Sequence, residues 1–439
     1  MELDALAQQP GINRLYTQLT FCFAHSDDSL DSLVETLTDG LERLLANFPW
    51  VAGKVVNENG RFKITPEKTS RLVVRDLRHD PSVPGWETLR HANFPFSMLD
   101  ESVIAPDKTL VVTDVSTLEM PVFIVQANFI NGGLLLTFNA QHGSMDMAGQ
   151  SQIINLLAKA CRDESFSSSE LSIGNLNRKN MIPILDNYVP GSELEHQIVK
   201  DSPIITARPV TPQSEPHERV WAYFAFSASS LAALKAHASK ALPQGSFVST
   251  DDALSAFIWQ SITRARLPRY STLSEAQSTL SRNVNMRRYL SIPSTYPGVI
   301  VNSTVHTSAI DTLAKAPLST VAAQLRAALD PKALAYRTRA LATLISQGGK
   351  ASFAAGNAPE LDVRLSSWAK ERCYEYDFGF GKPEAVRRPR FTHGAREGLV
   401  YLLPKAPDGE IAVGLCLRND DLERLRRDAE FAKFGTYVG

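Results

Sequence analysis

Gly133-Leu-Leu-Leu-Thr-Phe-Asn-Ala-Gln-His142-Gly-Ser-Met-Asp146-Met147-Ala-Gly-Gln-Ser-Gln-Ile-Ile-Asn-Leu-Leu-Ala-Lys-Ala-Cys161 changes its periodicity in the middle. The run before His142 follows the turn residues Asn131 to Gly133 and reads as a strand. After it, Met147, Ile153, Ile154, Leu157, Ala158 and Cys161 fall on one helical face. His142 therefore belongs at a strand end, at the entrance to a helix. A histidine there is held rigidly and aimed into a cleft, as a general base requires. Gly143 and Ser144 beside it are small and leave room for a ligand.

Working outward, residues 15–25 (LYTQLTFCFAH) alternate apolar and polar and predict a half-buried strand. Leu30, Leu33, Val34, Leu37, Leu41, Leu44 and Leu45 have helical spacing, and NFPW at 47–50 ends that helix because proline disfavours helix at the preceding residue. Residues 51–66 read as a hairpin turning at Asn57 to Gly60, and 108–142 hold three strand-like runs. From 163 to 219 the chain becomes rich in Ser and Pro, the signature of a crossover linker. The second half opens with a strand at 220–227 and a helix after it. A second helix follows over 249–266, with Ser249 or Thr250 as N-cap. Beyond it come strands, a helix near 319–329, a strand pair at 398–417 turning at Asp408-Gly-Glu410, and a charged helix from about Asp420. This order is mixed α and β without regular βαβ alternation. It predicts an α/β (α+β) fold of two layered domains with mixed sheets: residues 1–170, a crossover at 171–219, and residues 220–439.

The 439 residues exceed one ordinary core, and 44% apolar with 21% charged residues is a globular profile. A net charge of −1 argues against a general nucleic-acid binder. The four cysteines, Cys22, Cys161, Cys373 and Cys416, are too far apart in sequence for a CxxC metal or redox motif, so no metal site is expected. The N-terminus lacks a signal-peptide pattern, no run approaches a membrane span, and the C-terminal TYVG is no lipidation signal. The expectation is a cytoplasmic protein with no membrane partner.

HGSMD sets His142 and Asp146 four positions apart. Asp146 has two readings: it orients the imidazole as in a triad, or it caps the helix and pairs with a distant arginine. Its place at the strand-to-helix turn favours the second. A further string, Asp377-Phe-Gly-Phe-Gly381, is no kinase motif, since neither a GxGxxG nor an HRD loop accompanies it. The sequence contains no GxxxxGK[ST], HExxH or GxSxG, which removes P-loop, zincin and serine-hydrolase chemistry.

HGSMD and DFGFG together closely resemble the HxxxD and DFGWG pair of the BAHD-type acyltransferases, with the fungal trichothecene 3-O-acetyltransferase branch closest in look. The likeness runs along the chain through FPWVAGKV (48–55), STDDALSAFIWQ (249–260, similar to the family's interdomain helix), VNMRRYLSIPSTYPGVIVN (284–302) and SSW (366–368). It implies a two-domain fold like that of chloramphenicol acetyltransferase, with a tunnel between the domains. It implies acyl transfer, acetyl by default, from acyl-CoA as co-substrate to a hydroxyl or amine of a small secondary metabolite, in a monomer. His142 would be the base and Asp146 would be salt-bridged to Arg287. Ser366 and Trp368 would lie near the thioester carbonyl, and DFGFG would be a structural turn. Ser249, Thr250 and Arg287 would contribute to acyl-CoA binding. Two departures stand out: Met147 replaces the family's usual glycine, and DFGWG has become DFGFG. Two alternatives share the fold. One is condensation-type transfer from a carrier-protein thioester, disfavoured by Gln141 where that group often has a second histidine. The other is a metabolite-binding or cyclising protein without acyl transfer.

Overall fold

The computed structural model describes all residues except 26–29, 113, 200–217, 271–275 and 354–357. The mixed α/β architecture is the expected one. A five-stranded sheet runs, in spatial order, Ala385–Arg387, Tyr16–Ala24, Gly133–Gln141, Phe123–Ile130, Leu72–Asp76. A seven-stranded sheet runs Val301–Ala309, Gln277–Asn285, Val363–Ser367, Leu399–Leu402, Ile411–Arg418, Arg219–Phe226, Thr436–Tyr437. Each combines parallel and antiparallel pairs. A small third sheet holds the expected hairpin, Lys54–Glu58 with Arg61–Thr65, joined by Glu119–Pro121.

The first strand departs from the half-buried expectation: Tyr16 to Phe23 are all buried. Phe21 and Phe23 enter the main core, while Cys22 on the other face joins Trp86, Leu99 and Leu135 in a separate cluster. The alternating polar residues are bonded internally rather than solvated. Gln18 donates to the Asp107 carbonyl (2.7 Å), and the Thr20 and Thr137 hydroxyls meet across the strands at 2.8 Å. Of the three runs expected in 108–142, two form the long strands 123–130 and 133–141, and the third shrinks to Glu119–Pro121.

The helix Leu30–Asn47 buries Leu33, Leu37, Leu41 and Leu44 and packs on the helix Met147–Cys161. The helix Thr250–Arg266 corrects the interdomain expectation. It is buried on nearly every face inside the second core, against the helices Ala228–Ser239, Leu318–Ala327 and Asn419–Arg427. The described part of the crossover is packed rather than free: it contains a helix, Ser168–Gly174, started by a Ser167–Glu170 capping box. Trp50 Nε1 donates to the Gly174 carbonyl (2.9 Å), and the Leu185 N–H to Thr343 Oγ1 (2.8 Å). Residues 200–217 of the expected linker lie outside the described residues.

One strand joins the halves. Ala385–Arg387 pairs antiparallel with Tyr16–Ala24, at Thr20, Phe21 and Cys22, and so places a piece of the chain's end at the edge of the first sheet. A division of the sequence at 219 does not anticipate this exchange. DFGFG leads into it. Asp377 Oδ1 accepts the Gly379 and Gly381 N–H groups (2.8 and 3.1 Å), while Phe378 packs against Phe21, Phe23 and Phe138 of the first sheet.

Candidate active site

A cavity of about 850 Å³ opens between the halves. His142, Asp146 and Met147 line it from the first half, and Ser366, Ser367, Trp368, Glu371, Arg388 and Tyr401 from the second. The N-terminal residues Gln8 to Ile12 form another part of its wall.

His142 follows the last residue of the strand Gly133–Gln141, and its N–H donates to the Leu15 carbonyl at 2.8 Å, which extends the sheet by one step. The turn after it is tied internally. The Ser144 hydroxyl donates to the Gln141 carbonyl (2.6 Å), and its N–H to Gln141 Oε1 (2.7 Å). Gln141 Nε2 in turn donates to the Asn13 carbonyl (3.0 Å). Gly143 is required by close approach, since a Cβ there would stand 2.0 Å from Asn13 Oδ1. His142 Nδ1 faces the Met145 carbonyl at a long 3.5 Å. A carbonyl only accepts, so this contact favours the tautomer with the proton on Nδ1, leaving Nε2 as the base. Burial, opposed by the Met145 carbonyl and Asp146 and assisted by Arg388, holds the imidazole pKa below its ordinary value.

Asp146 does not touch the imidazole in this structure. Its backbone starts the helix Met147–Cys161, and its Oδ1 accepts the Gly149 N–H at 2.9 Å. Both carboxylate oxygens meet the Arg287 guanidinium at 2.9 Å, and Oδ2 also accepts the Ile300 N–H at 2.9 Å. The expected Asp146–Arg287 pair is therefore present, buried and bidentate. Gly149 lets the loop from the second half come this close: a Cβ there would stand 2.0 Å from the Pro297 carbonyl. Met147, in place of the family's usual glycine, begins the helix and also faces the cavity.

Ser249, Thr250 and Arg287, expected to contact acyl-CoA, are not among the residues that line the cavity. Arg287 has spent all five donors: Nε on the Tyr296 carbonyl, Nη1 on Asp146 and Asn285, Nη2 on Asp146 and the Gly298 carbonyl. Ser249 is the N-cap of Thr250–Arg266, reciprocally bonded with Asp252, and neither Ser249 nor Thr250 lines the cavity. The helix start reaches the site through its neighbour instead: Asp251 Oδ2 accepts the Ser367 hydroxyl at 2.5 Å.

Ser366 and Trp368 come together on the cavity wall, with Trp368 Nε1 donating to Ser366 Oγ at 3.0 Å. That bond occupies a lone pair of Ser366 and leaves its own hydroxyl proton free to donate. Several site residues were not expected from sequence. Glu371 carries a carboxyl pushed up by burial and by Asp146, against the pull of a Ser151 hydrogen bond and Arg287. Arg178, from the crossover, donates to the Ser144 carbonyl and lies 4.4 Å over the Trp50 ring. Arg388 packs against Trp368, Phe391 and Tyr401. The only local signal for the last was the run Arg387-Arg388-Pro-Arg390, whose first two arginines the fold turns inward.

Two halves meet at a cavity, with a half-buried histidine on one wall and a serine–tryptophan pair on another, the arrangement expected of the acyltransferases that the sequence resembles. The sequence comparisons agree. A trichothecene 3-O-acetyltransferase-like N-terminal domain matches residues 15–161, and the Transferase family matches residues 100–432. The chain belongs to this BAHD-type Transferase family. It is 48% identical to the O-acetyltransferase dmxR13 of Cryptosporiopsis sp. over 100% of this chain and 97% of that protein. It is 47% identical to trichothecene 3-O-acetyltransferase TRI101 of Fusarium sporotrichioides, again over 100% and 97%. Its fold superposes on F. graminearum TRI101 complexed with coenzyme A and deoxynivalenol with a TM-score of 0.93 at 42% identity, covering 100% of this chain and 99% of that one. The enzyme class is O-acetyltransferase, with acyl-CoA as co-substrate and a small molecule as acceptor.

Proposed function

We propose that this protein acetylates a hydroxyl of an oxygenated fungal secondary metabolite of the trichothecene type, with His142 as general base and no covalent enzyme intermediate. The observation that carries this is the single cavity shared by His142 and the Ser366–Trp368 pair. His142 Nε2 takes the acceptor's hydroxyl proton as its oxygen attacks the thioester carbonyl carbon. The carbonyl electrons move onto oxygen, toward which the Ser366 hydroxyl donates. When the carbonyl re-forms, the C–S bond breaks and the thiolate recovers the proton from His142. Asp146 acts through the backbone as a positioning residue, with Arg287 as its partner. In this reading residues 1–170 and 220–439 are the two domains, the second lending Ala385–Arg387 to the sheet of the first, 171–219 is the crossover, and the protein works as a monomer in the cytoplasm. No helix among the described residues is long and apolar enough to cross a membrane, which is consistent with that location. The carrier-protein alternative is disfavoured because residue 141 is glutamine, buried and bonded to Asn13, where a second histidine would stand.

The test is coenzyme A release from acetyl-CoA with deoxynivalenol or T-2 toxin as acceptor, with mass spectrometry of the product. A product heavier by one acetyl group, formed by the wild type and lost in a folded His142→Ala variant, is the expected result. Full turnover by His142→Ala would overturn the mechanism. No product with either toxin would remove trichothecenes as the acceptor class.

A further inference from the structure

Arg388 is 3% exposed, yet it lines the cavity that holds His142. Most other buried arginines in this protein are matched to carboxylates, Arg287 to Asp146, Arg282 to Asp252 and Arg266 to Glu397, while the neighbouring Arg387 is satisfied by hydrogen bonds to Asn93, Tyr374 and the Val386 carbonyl. Arg388 forms no ion pair with a carboxylate among the described residues. Its Nη2 donates to Thr109 Oγ1 at 3.3 Å, and its Nε has no partner. Glu101, the carboxylate whose field it does affect, is engaged at 2.7 Å by the Thr109 N–H. Aromatic faces surround the guanidinium instead, with the ring centroids of Phe391, Tyr401 and Trp368 at 4.5, 4.8 and 5.8 Å. Such faces partly offset a buried cation but supply no net negative charge. A buried charge without a counter-ion is costly, and the natural compensation is an anion that comes to it.

The position of Arg388 says which anion. On one side, Thr109 accepts the Tyr16 N–H with its carbonyl, and the adjacent Leu15 carbonyl accepts the His142 N–H. On the other side, the Trp368 ring carries the indole N–H that fixes Ser366. The cation thus lines the same cavity as the base, near enough to disfavour its protonation, and packs beside the tryptophan that fixes Ser366.

We propose that Arg388 is the fixed cation of the transfer step, set to balance the negative charge that forms first on the thioester oxygen and then on the departing coenzyme A sulfur. This rests on the acetyl-transfer reading above. As the acceptor oxygen bonds to the carbonyl carbon, the electron pair goes to the carbonyl oxygen and the proton to His142. As the C–S bond breaks, that pair restores the carbonyl and the bond's electrons leave with sulfur. One unit of negative charge stays beside Arg388 throughout, until His142 returns the proton to the thiolate. The aromatic cage keeps the guanidinium in place without a competing carboxylate.

The charge on sulfur can be tested without any acceptor. Coenzyme A ionises at its thiol, whereas ethyl-coenzyme A cannot, so the ratio of their affinities between pH 6.5 and 9 reports thiolate stabilisation. The charged and titratable groups lining the cavity beside Arg388 are Tyr16, Arg61, His142, Asp146, Lys350, Arg364, Glu371, Arg396 and Tyr401, and the series is run on the His142→Ala protein to remove the imidazole, whose own protonation would otherwise change over this pH range. In that background we expect a preference for coenzyme A of about tenfold or more at high pH, as an adjacent cation lowers an acid's pKa by ~1 unit or more. Arg388→Gln brings the preference to near unity, and Arg388→Lys, which keeps the charge, retains most of it. In the enzyme with His142 intact, Arg388→Gln lowers kcat by about 10²–10³-fold with the KM for acetyl-CoA within about threefold. An equal preference in the Arg388→Gln and parent proteins, or no preference in the parent, overturns the proposal. Acetylation of deoxynivalenol by the wild type is scored separately, so failure of the acceptor reading is distinguishable from failure of the Arg388 assignment.

Discussion

Asp146 and Arg287 meet through two parallel contacts of 2.9 Å, one from each carboxylate oxygen, across the junction between the halves. The turn that carries His142 is thereby fastened to the loop 296–300 of the second half, whose carbonyls at Tyr296 and Gly298 take the remaining guanidinium donors on that side.

Breaking this pair leaves an uncompensated buried charge. Asp146→Ala should lower stability by ~3–5 kcal/mol, read as a fall in the urea midpoint. Asp146→Asn should fall between wild type and alanine, because its amide oxygen still accepts the Gly149 N–H. Arg287→Lys should also destabilise, since an ammonium cannot span both oxygens. A midpoint unchanged in Asp146→Ala would show that the junction is held by something else.

The pH dependence follows from the lowered pKa of His142. Protonation removes the base, so kcat/KM falls on the acid side, and the midpoint of that limb should lie below the ordinary histidine value of about 6.5. The linkage has the same direction. The unfolded chain binds this proton more readily than the folded one, so stability is lost as pH falls through 6.5 toward the folded pKa. Titration of the His142 Cε1 proton by NMR checks both; a midpoint above 6.5 would contradict them.

Gly143 and Gly149 should each resist alanine. At Gly143 the added methyl meets Asn13, and at Gly149 it meets the Pro297 backbone. Overpacking of this kind costs ~1–3 kcal/mol. Shortening Asn13 to Ser should recover part of the Gly143→Ala loss and none of the Gly149→Ala loss, a comparison made by thermal denaturation of the single and double variants.

Ser366→Ala removes the hydroxyl aimed at the developing oxyanion. We expect kcat to drop by about 10²-fold with the KM for acetyl-CoA little changed. Trp368→Phe, which frees Ser366 from its 3.0 Å tether, should show a smaller loss of the same kind. A Ser366→Ala enzyme with wild-type kcat would assign the oxyanion to another donor.

What could be read in the sequence was what is encoded locally. The strand ending at Gln141, the helix from Met147, the hairpin at 54–65 and the Ser249 cap each show in a window of a few residues. The Asp146–Arg287 pair, 141 positions apart, was reached only through family likeness. The contact between Arg388 and Thr109 spans 279 positions, and that between Asp251 and Ser367 spans 116. No periodicity reports such meetings, because they are made by the topology. Ser249 and Arg287, expected at the ligand, have polar side chains in sequence motifs, and the fold supplies them with partners that no motif reports: Asp252 for Ser249, and Asp146, Asn285 and the Tyr296 and Gly298 carbonyls for Arg287. The first strand misled because its polar residues are satisfied inside the core by groups from elsewhere in the fold, Gln18 by the Asp107 carbonyl and Thr20 by Thr137. The helix Pro331–Ser346, which buries Leu334, Leu341 and Ile345, escaped notice altogether.

The edge strand Ala385–Arg387 also has a consequence for the order of synthesis. A ribosome releases Tyr16–Ala24 hundreds of residues before the segment that completes its sheet. Until then one side of that strand presents open backbone groups near Cys22, and the Phe378 ring that covers Phe21 and Phe23 has yet to be made. The first half is thus a nascent intermediate with an unsealed edge, and it is closed only by the segment from Phe378 to Arg387, far along the chain. A frameshift or truncation before residue 385 should therefore cost more than the missing residues: it should leave the whole first sheet sticky.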